Sequence, residues 1–258
     1  MEGGAVLRFG LFSDLHANLP GLPERGYGGR SMEDLARGME RFRDAGADFA
    51  VSLGDNAQPA RDAAEEAEQL GEMIRFWSGF GLPVHAVFGN HEFQQLTPEE
   101  VLSVWHREGM YYSFRVKDVR FVLLDTNVNP DGTHYGADNF DWRYGIVDEA
   151  QTEWLRRLLT DPVRTFVFTH NCIRWETGSP EDEWFRIGNH REISELLASS
   201  GCVEAVFQGH HHTFRAELWR GIRFVNVPSP ERSPDYTDEC FPLVEVRERG
   251  FLYNGGEL

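Results

Sequence analysis

The segment Val84-His85-Ala86-Val87-Phe88-Gly89-Asn90-His91-Glu92 runs from an apolar pattern straight into an amide, an imidazole and a carboxylate. A short apolar run closed by glycine reads as a buried strand. Two upstream segments repeat the arrangement. Phe49 to Leu53 runs into Gly54-Asp55, and Val6 to Ser13 runs into Asp14-Leu15-His16. Helical patterns separate them. Ser31 with Asp34 reads as a capping box, Met32, Leu35, Met39 and Phe42 recur at helical spacing, and Gly46 stops the helix. A second helix is expected from Pro59 to Trp77, and a third from Thr97, Pro98 and Glu100. Strand and helix alternating three times predicts a largely parallel sheet with helices on its faces.

Downstream, Tyr111–Val116 and Val119–Asp125 flank Lys117-Asp118 and read as a hairpin. A long irregular stretch, 126–147, follows; loops of that length are uncommon unless functional. A helix over 148–160 leads to a strand over 164–169 that ends in His170. A second irregular stretch, 171–188, precedes a helix near 189–199. The strand Val203–Gln208 then ends in Gly209-His210-His211-His212. The tail is strand-rich, with expected strands at 214–219, 222–227 and 243–247, and a short one at the end.

Five strand endings therefore carry the same chemistry: Asp14 with His16, Asp55, Asn90 with His91, His170, and His210 with His212. In α/β sheets the carboxyl ends of the strands converge on one crevice. Period-2 alternation is expected to turn Asp14 and His16 to one side, and His210 and His212 likewise. Seven donors (Asp14, His16, Asp55, Asn90, His170, His210 and His212) are too many for one tetrahedral ion and suit two. Two ions sharing a carboxylate and a water would sit ~3.5–4 Å apart, the geometry of two-metal hydrolases. Imidazole, carboxylate and amide donors without thiolate suit manganese, iron or zinc. His85, His106, His134 and His211 read as packing or surface histidines. His190, at a helix start, is a candidate to face a phosphate.

Composition sets limits. The chain has 258 residues, 25 Lys+Arg against 42 Asp+Glu, and a formal net charge of −17. Such a surface repels DNA, RNA and anionic membranes, so no nucleic-acid polymer and no membrane is expected as a partner. Bound metal would supply local positive charge for a small anionic substrate. Three cysteines, Cys172, Cys202 and Cys240, make neither a disulfide framework nor a structural zinc site. No signal peptide or membrane-length apolar run is read, which points to a cytoplasmic protein with one domain over 1–258. The sequence leaves oligomeric state open.

The ordered motifs Asp14-x-His16, Gly54-Asp55, Gly89-Asn90-His91-Glu92, lone His170 and Gly209-His210-x-His212 resemble the calcineurin-like metallophosphoesterase superfamily. The resemblance covers residues 9 to 212. It implies a four-layer α-β-β-α sandwich in which two mixed sheets pack between helices. It further implies that Asp14, His16, Asp55 and His212 bind one metal. Asp55, Asn90, His170 and His210 would bind the other, with Asp55 bridging. Two divalent or di/trivalent ions are implied as cofactors, manganese first. A metal-bridging hydroxide would attack a phosphate ester, and His91 would be the non-ligand acid that assists the leaving oxygen.

Gly132 to Trp142 and Phe207-Gln208-Gly209-His210-His211-His212 look most like the branch around manganese-dependent ADP-ribose/CDP-alcohol diphosphatases. Two positions depart from relatives. Gln58 stands where purple acid phosphatases carry a tyrosine, so no tyrosinate–iron(III) pairing is expected. Cys172 stands two after His170, where many relatives have proline.

The function expected is thus hydrolysis of a small, nucleotide-like phosphate ester, by phosphatase or phosphodiesterase chemistry. The alternative is a non-catalytic scaffold of the same fold that binds a protein partner. Loops 17–30, 126–147 and 171–188 are the candidate selectivity elements. Arg30 and Arg174 are candidates to contact a second phosphate or a carboxylate, and Trp142, Tyr144, Trp175 and Trp184 to stack on a base. Monoesters, cyclic nucleotides and diphosphates all stay open.

Overall fold

The computed structural model describes residues 5–18, 30–175, 180–232 and 235–258. Most of the expected selectivity loop 17–30, and residues 176–179 of the second irregular stretch, lie outside these. In chain order the elements are β1 (Leu7–Phe12), α1 (Ser31–Asp44), β2 (Phe49–Ser52), α2 (Ala63–Ser78), β3 (Val84–Ala86) and α3 (Pro98–Trp105). β4 (Tyr112–Val116), β5 (Val119–Leu123), α4 (Glu149–Leu158), β6 (Thr165–Thr169) and α5 (His190–Ser200) follow. The last are β7 (Val203–Gln208), β8 (Arg215–Trp219), β9 (Ile222–Asn226), β10 (Leu243–Val246) and β11 (Phe251–Tyr253).

Two mixed sheets form. The first has the order β11-β10-β1-β2-β3, the second β4-β5-β6-β7-β9-β8. β1, β2 and β3 run parallel, as their strand–helix alternation requires, and the tail adds β10 and β11 antiparallel. In the second sheet β5, β6, β7 and β9 are parallel, with antiparallel β4 and β8 at the edges. Alternation along each strand makes the layers. Phe9, Leu11, Phe49 and Val51 point between the sheets against Phe121, Phe166, Phe168 and Phe207. Phe12 and Ala50 point outward and are covered by Leu35, Met39 and Met73 of α1 and α2. Val122, Val167 and Val206 point outward on the other side, against Leu155, Ile193 and Leu197 of α4 and α5. The result is helices, sheet, sheet, helices. Among the described residues no helix is long and apolar enough to cross a membrane.

Two expectations about helix starts are corrected. Ser31 does not cap α1: Arg30 is the N-cap residue without a side-chain hydrogen bond, and Ser31 Oγ donates instead to Leu15 O at 2.6 Å. The second helix starts after Asp62, whose carboxylate accepts from Glu65 N, not at Pro59. α3 starts where expected, after Thr97, with a capping box between Thr97 and Glu100.

Candidate metal and active site

The carboxyl ends of β1, β2, β3, β6 and β7 come together at one edge of the sandwich, and the motif residues meet there. Asp14, His16, Asp55, Asn90, His170 and His210 are buried, and His212 and His91 are partly so. The route differs from the expected alternation. Asp14, His16, Asp55, His210 and His212 lie past the strand ends with φ between 41° and 68°, in the left-handed region. That conformation costs a non-glycine residue roughly 1–2 kcal/mol. Strain of this kind gathers where geometry serves a site. The chain here curls around the donors; it does not run extended past them.

The motif glycines give the turns room. Gly54 has φ +98°, and a side chain on it would meet Gly89 N at 2.4 Å. A Cβ at Gly89 would sit 2.2 Å from Asp55 Oδ1. That close approach lets His91 N donate to Asp55 Oδ1 at 2.8 Å.

Three groups of donor atoms result, each within 4.8 Å: Asp14, Asp55, His170 and His210; Asp14, His16 and His212; and His16, Asp55 and His91. His170 shows what the first is built for. Its Nδ1 lies 2.8 Å from Leu53 O, which only accepts, so Nδ1 carries a proton. In the neutral ring Nε2 is then a bare lone pair. Yet Nε2 faces Asn90 Oδ1 at 3.0 Å, His210 Nδ1 at 3.1 Å and Asp55 Oδ2 at 3.3 Å. One proton cannot satisfy three neighbours, whereas a cation can draw all four atoms inward. His210 Nε2 is buried with no hydrogen-bond partner among the described residues. In the second group, His212 Nε2 lies 3.2 Å from both Asp14 Oδ1 and His16 Nε2. Asp55 Oδ2 stands between the groups, 3.8 Å from His16 Nε2. The residues present fit oxygen- and nitrogen-loving metal ions.

Protonation agrees with that fit. Without metal, burial opposes charge on His170, but the Asp55 carboxylate overrides it and lifts the pKa to about 9. A proton there stands in for a cation. Burial pushes His16 down to about 4 and His210 to about 3, which leaves both rings neutral with lone pairs available. Burial also works to raise Asp14 and Asp55, yet the rings of His212 and His170 beside them hold both below the usual carboxylate range.

Several residues given no supporting role from sequence hold the donors in place. Glu92 accepts from the backbone N–H groups of Gly89, Asp55 and Asn56. Ser13 Oγ donates to Asp14 Oδ2, and Ser229 Oγ to Asp14 O at 2.6 Å. Gln58, at the position where purple acid phosphatases carry a tyrosine, donates from Nε2 to His16 O at 2.6 Å. A cavity of about 230 Å³ opens over the cluster. Its lining combines His16, Asp55, Asn90, His91, His210 and His212 with two aromatic residues, Trp142 and Phe185. Phe185 carried no periodic signal in the sequence.

Other candidates lie elsewhere. Arg174 pairs with Glu217 at 2.5 Å and sits over the Trp219 ring, and Arg30 lies 3.6 Å from both Asp34 and Asp235. Trp175 packs on His211, Tyr144 is exposed, and neither lines the cavity. His190 begins α5 and does not line it either. Cys172 is buried, burial raises its thiol pKa, and its Sγ donates to Asn226 Oδ1 at 3.2 Å. His85 stacks on Phe114, His106 closes α3, and His134 pairs with Asp125 at 2.8 Å.

Similarity to solved structures agrees with the fold. A dimetal phosphatase from Danio rerio superposes with TM-score 0.75 at 19% identity, over 96% of this chain and 98% of that one. GAP50, the anchor in the inner membrane complex of Plasmodium, gives 0.66 at 15% identity over 96% and 83%. A purple acid phosphatase from yellow lupin (Lupinus luteus) gives 0.63 at 16% over 93% and 49%. No curated protein matches the sequence. The family model of the calcineurin-like phosphoesterases matches residues 7–214, from the first strand to just past the last histidine motif. The chain belongs to the calcineurin-like phosphoesterase family.

Proposed function

We propose that this chain is a dinuclear-metal-dependent hydrolase of phosphate esters that acts on a small phosphorylated substrate. The observation that carries the reading is the crowd of acceptors around His170 Nε2 and Asp55 Oδ2, buried at the end of a cavity open to solvent. Asp14, His16, Asp55 and His212 hold one ion. Asp55, Asn90, His170 and His210 hold the other, with manganese the first candidate and iron or zinc the alternatives. Bound there, two cations supply Lewis-acid charge for the phosphate and lower the pKa of water.

The protein's own groups do the rest. Glu92 fixes the loops that carry Asp55 and Asn90, so the donors keep their spacing when the substrate arrives. His91 faces the cavity with its Nε2 4.0 Å from Asp55 Oδ2, outside the tightest contacts. Its ring is placed to give a proton to the departing oxygen.

The second reading, a scaffold that binds a protein, draws on the fold likeness to GAP50, named for its anchoring role. The complete donor set argues for catalysis. Hydrolysis of a panel of monoesters, diesters, cyclic nucleotides and diphosphates with Mn2+, Zn2+ and Mg2+, followed by the loss of substrate, tests the choice. Turnover that EDTA abolishes supports the hydrolase, and no turnover of any ester with any metal would give the scaffold the lead.

A further inference from the structure

The cavity over the donor cluster is lopsided. One wall is imidazole and carboxylate, and the other is made of two aromatic rings, Trp142 and Phe185. They come from different segments, the irregular stretch after β5 and the 3-10 turn before α5. Their centroids are 5.4 Å apart, and both approach the ring of His210, at 5.9 and 5.2 Å. Neither is fully buried. Each therefore keeps ring surface open beside the place where a phosphoryl group would bind.

This wall is built to stay in position. Cys172 N, two residues past His170, donates to Phe185 O at 3.0 Å, and Ile187 N donates back to Cys172 O at 2.9 Å. A proline at position 172 has no N–H to make the first bond. The departure noted in the sequence thus couples Phe185 to the strand that carries His170. Trp142 is steadied from behind. Its ring meets Trp184 edge-on at 6.0 Å, and the Arg143 guanidinium lies about 6 Å over both indoles. Arg143 is itself held by Asp141 at 2.9 Å.

We propose that Trp142 and Phe185 form a specificity platform for the ester arm of the substrate, and that this arm carries a flat aromatic ring. The inference rests on the phosphoesterase reading of the metal cluster. Aromatic rings at centroid separations of ~4.5–7 Å reward flat partners beyond the burial of area alone. A base stacked on a side-chain ring gains from the same contact. A polyol or short alkyl arm does not. The cavity of about 230 Å³ falls below the ~300 Å³ of sites for larger ligands. It suits a phosphoryl group with one ring beside it. The class is thus aryl-like phosphate esters, nucleotides included, over alkyl and polyol phosphates.

Binding of phenylphosphonate and methylphosphonate to the manganese-loaded protein, by titration calorimetry, tests this without turnover. The expected result is about tenfold tighter binding of phenylphosphonate, equivalent to ~1.4 kcal/mol. In Trp142→Leu, which keeps an apolar wall and loses the indole face, the ratio should fall towards one. Trp142→Phe should restore most of it. Phe185→Leu gives an independent second reading, with thermal melts to confirm folding. No preference in the wild type, a ratio unchanged in both leucine variants, or no binding of either phosphonate would overturn the platform. A clear phenyl preference in a protein that hydrolyses no ester would instead overturn the hydrolase reading and leave the platform standing.

Discussion

Glu92 shows how a single carboxylate can set a site without lining it. It receives N–H groups from Gly89, Asp55 and Asn56 at 2.6, 3.0 and 2.8 Å, so the turn after β2 and the turn after β3 share one anchor. Glu92→Gln keeps the size but points an amide N–H2 at other donors. Leaving a buried donor unsatisfied costs ~1–3 kcal/mol, so a fall of that order is expected in urea unfolding, with weaker metal loading. Unchanged values of both would contradict the role. At His91, asparagine substitution should preserve metal content and cut turnover ~10²–10⁴-fold. The loss should be greater for alkyl esters than for p-nitrophenyl phosphate, whose leaving group needs little protonation. Equal loss for both would mean that His91 positions the phosphate only.

His85, far from the site, gives a pH dependence. Burial first, then the charge of Arg107, holds it at about 4. The unfolded chain takes a proton near pH 6.5 that the native ring refuses. Stability is therefore full above pH 6.5 and falls as pH drops towards 4, by up to ~3 kcal/mol. His85→Phe should flatten that limb of a stability–pH profile, and an identical slope in the variant would refute the assignment.

Among the elements, helix ends separate what sequence reveals from what it hides. Thr97-Pro98-x-Glu100 is a local code, and α3 starts where it says. Ser31 carries the same chemistry, but a tertiary partner, Leu15 O, takes its hydroxyl. No local pattern contains that contact. Thr97→Ala should cost ~1 kcal/mol through the lost cap. The other end of α3 carries the opposite expectation. His106 closes the helix at φ 52°, a conformation with no site to justify it. His106→Gly should raise stability by about 1 kcal/mol in chemical denaturation, and a loss would show that the ring makes contacts worth more than the strain. The donor-bearing turns were legible as residue types because metal chemistry restricts the choice. Their left-handed backbone was not, because aspartate and histidine adopt it here only under tertiary constraint. Phe185 stayed hidden for a related reason. What defines its place is a backbone bond from Cys172 N, which the sequence of neither segment reveals.

At the scale of the whole molecule, the parallel start of the first sheet followed from strand–helix order. The pairing of two sheets rested on the motif resemblance, since periodicity cannot say which apolar face meets which. Phe9 marks where they meet. It stacks on Phe49 at 5.4 Å within its own sheet and packs edge-on against Phe121, Phe166, Phe168 and Phe207 across the layer. The same layer brings β1 and β2 endings against those of β6 and β7, so the packing of the core also positions the donors. A net charge of −17 makes the buried cluster a place where cations are both needed and welcome. Whether the cluster holds a pair of metal ions is decided by anomalous diffraction from crystals of the manganese-loaded protein. Two peaks are expected to flank the Asp55 carboxylate, one contacted by Asp14, His16 and His212, the other by Asn90, His170 and His210. A single peak, or none within reach of these residues, would contradict a paired site.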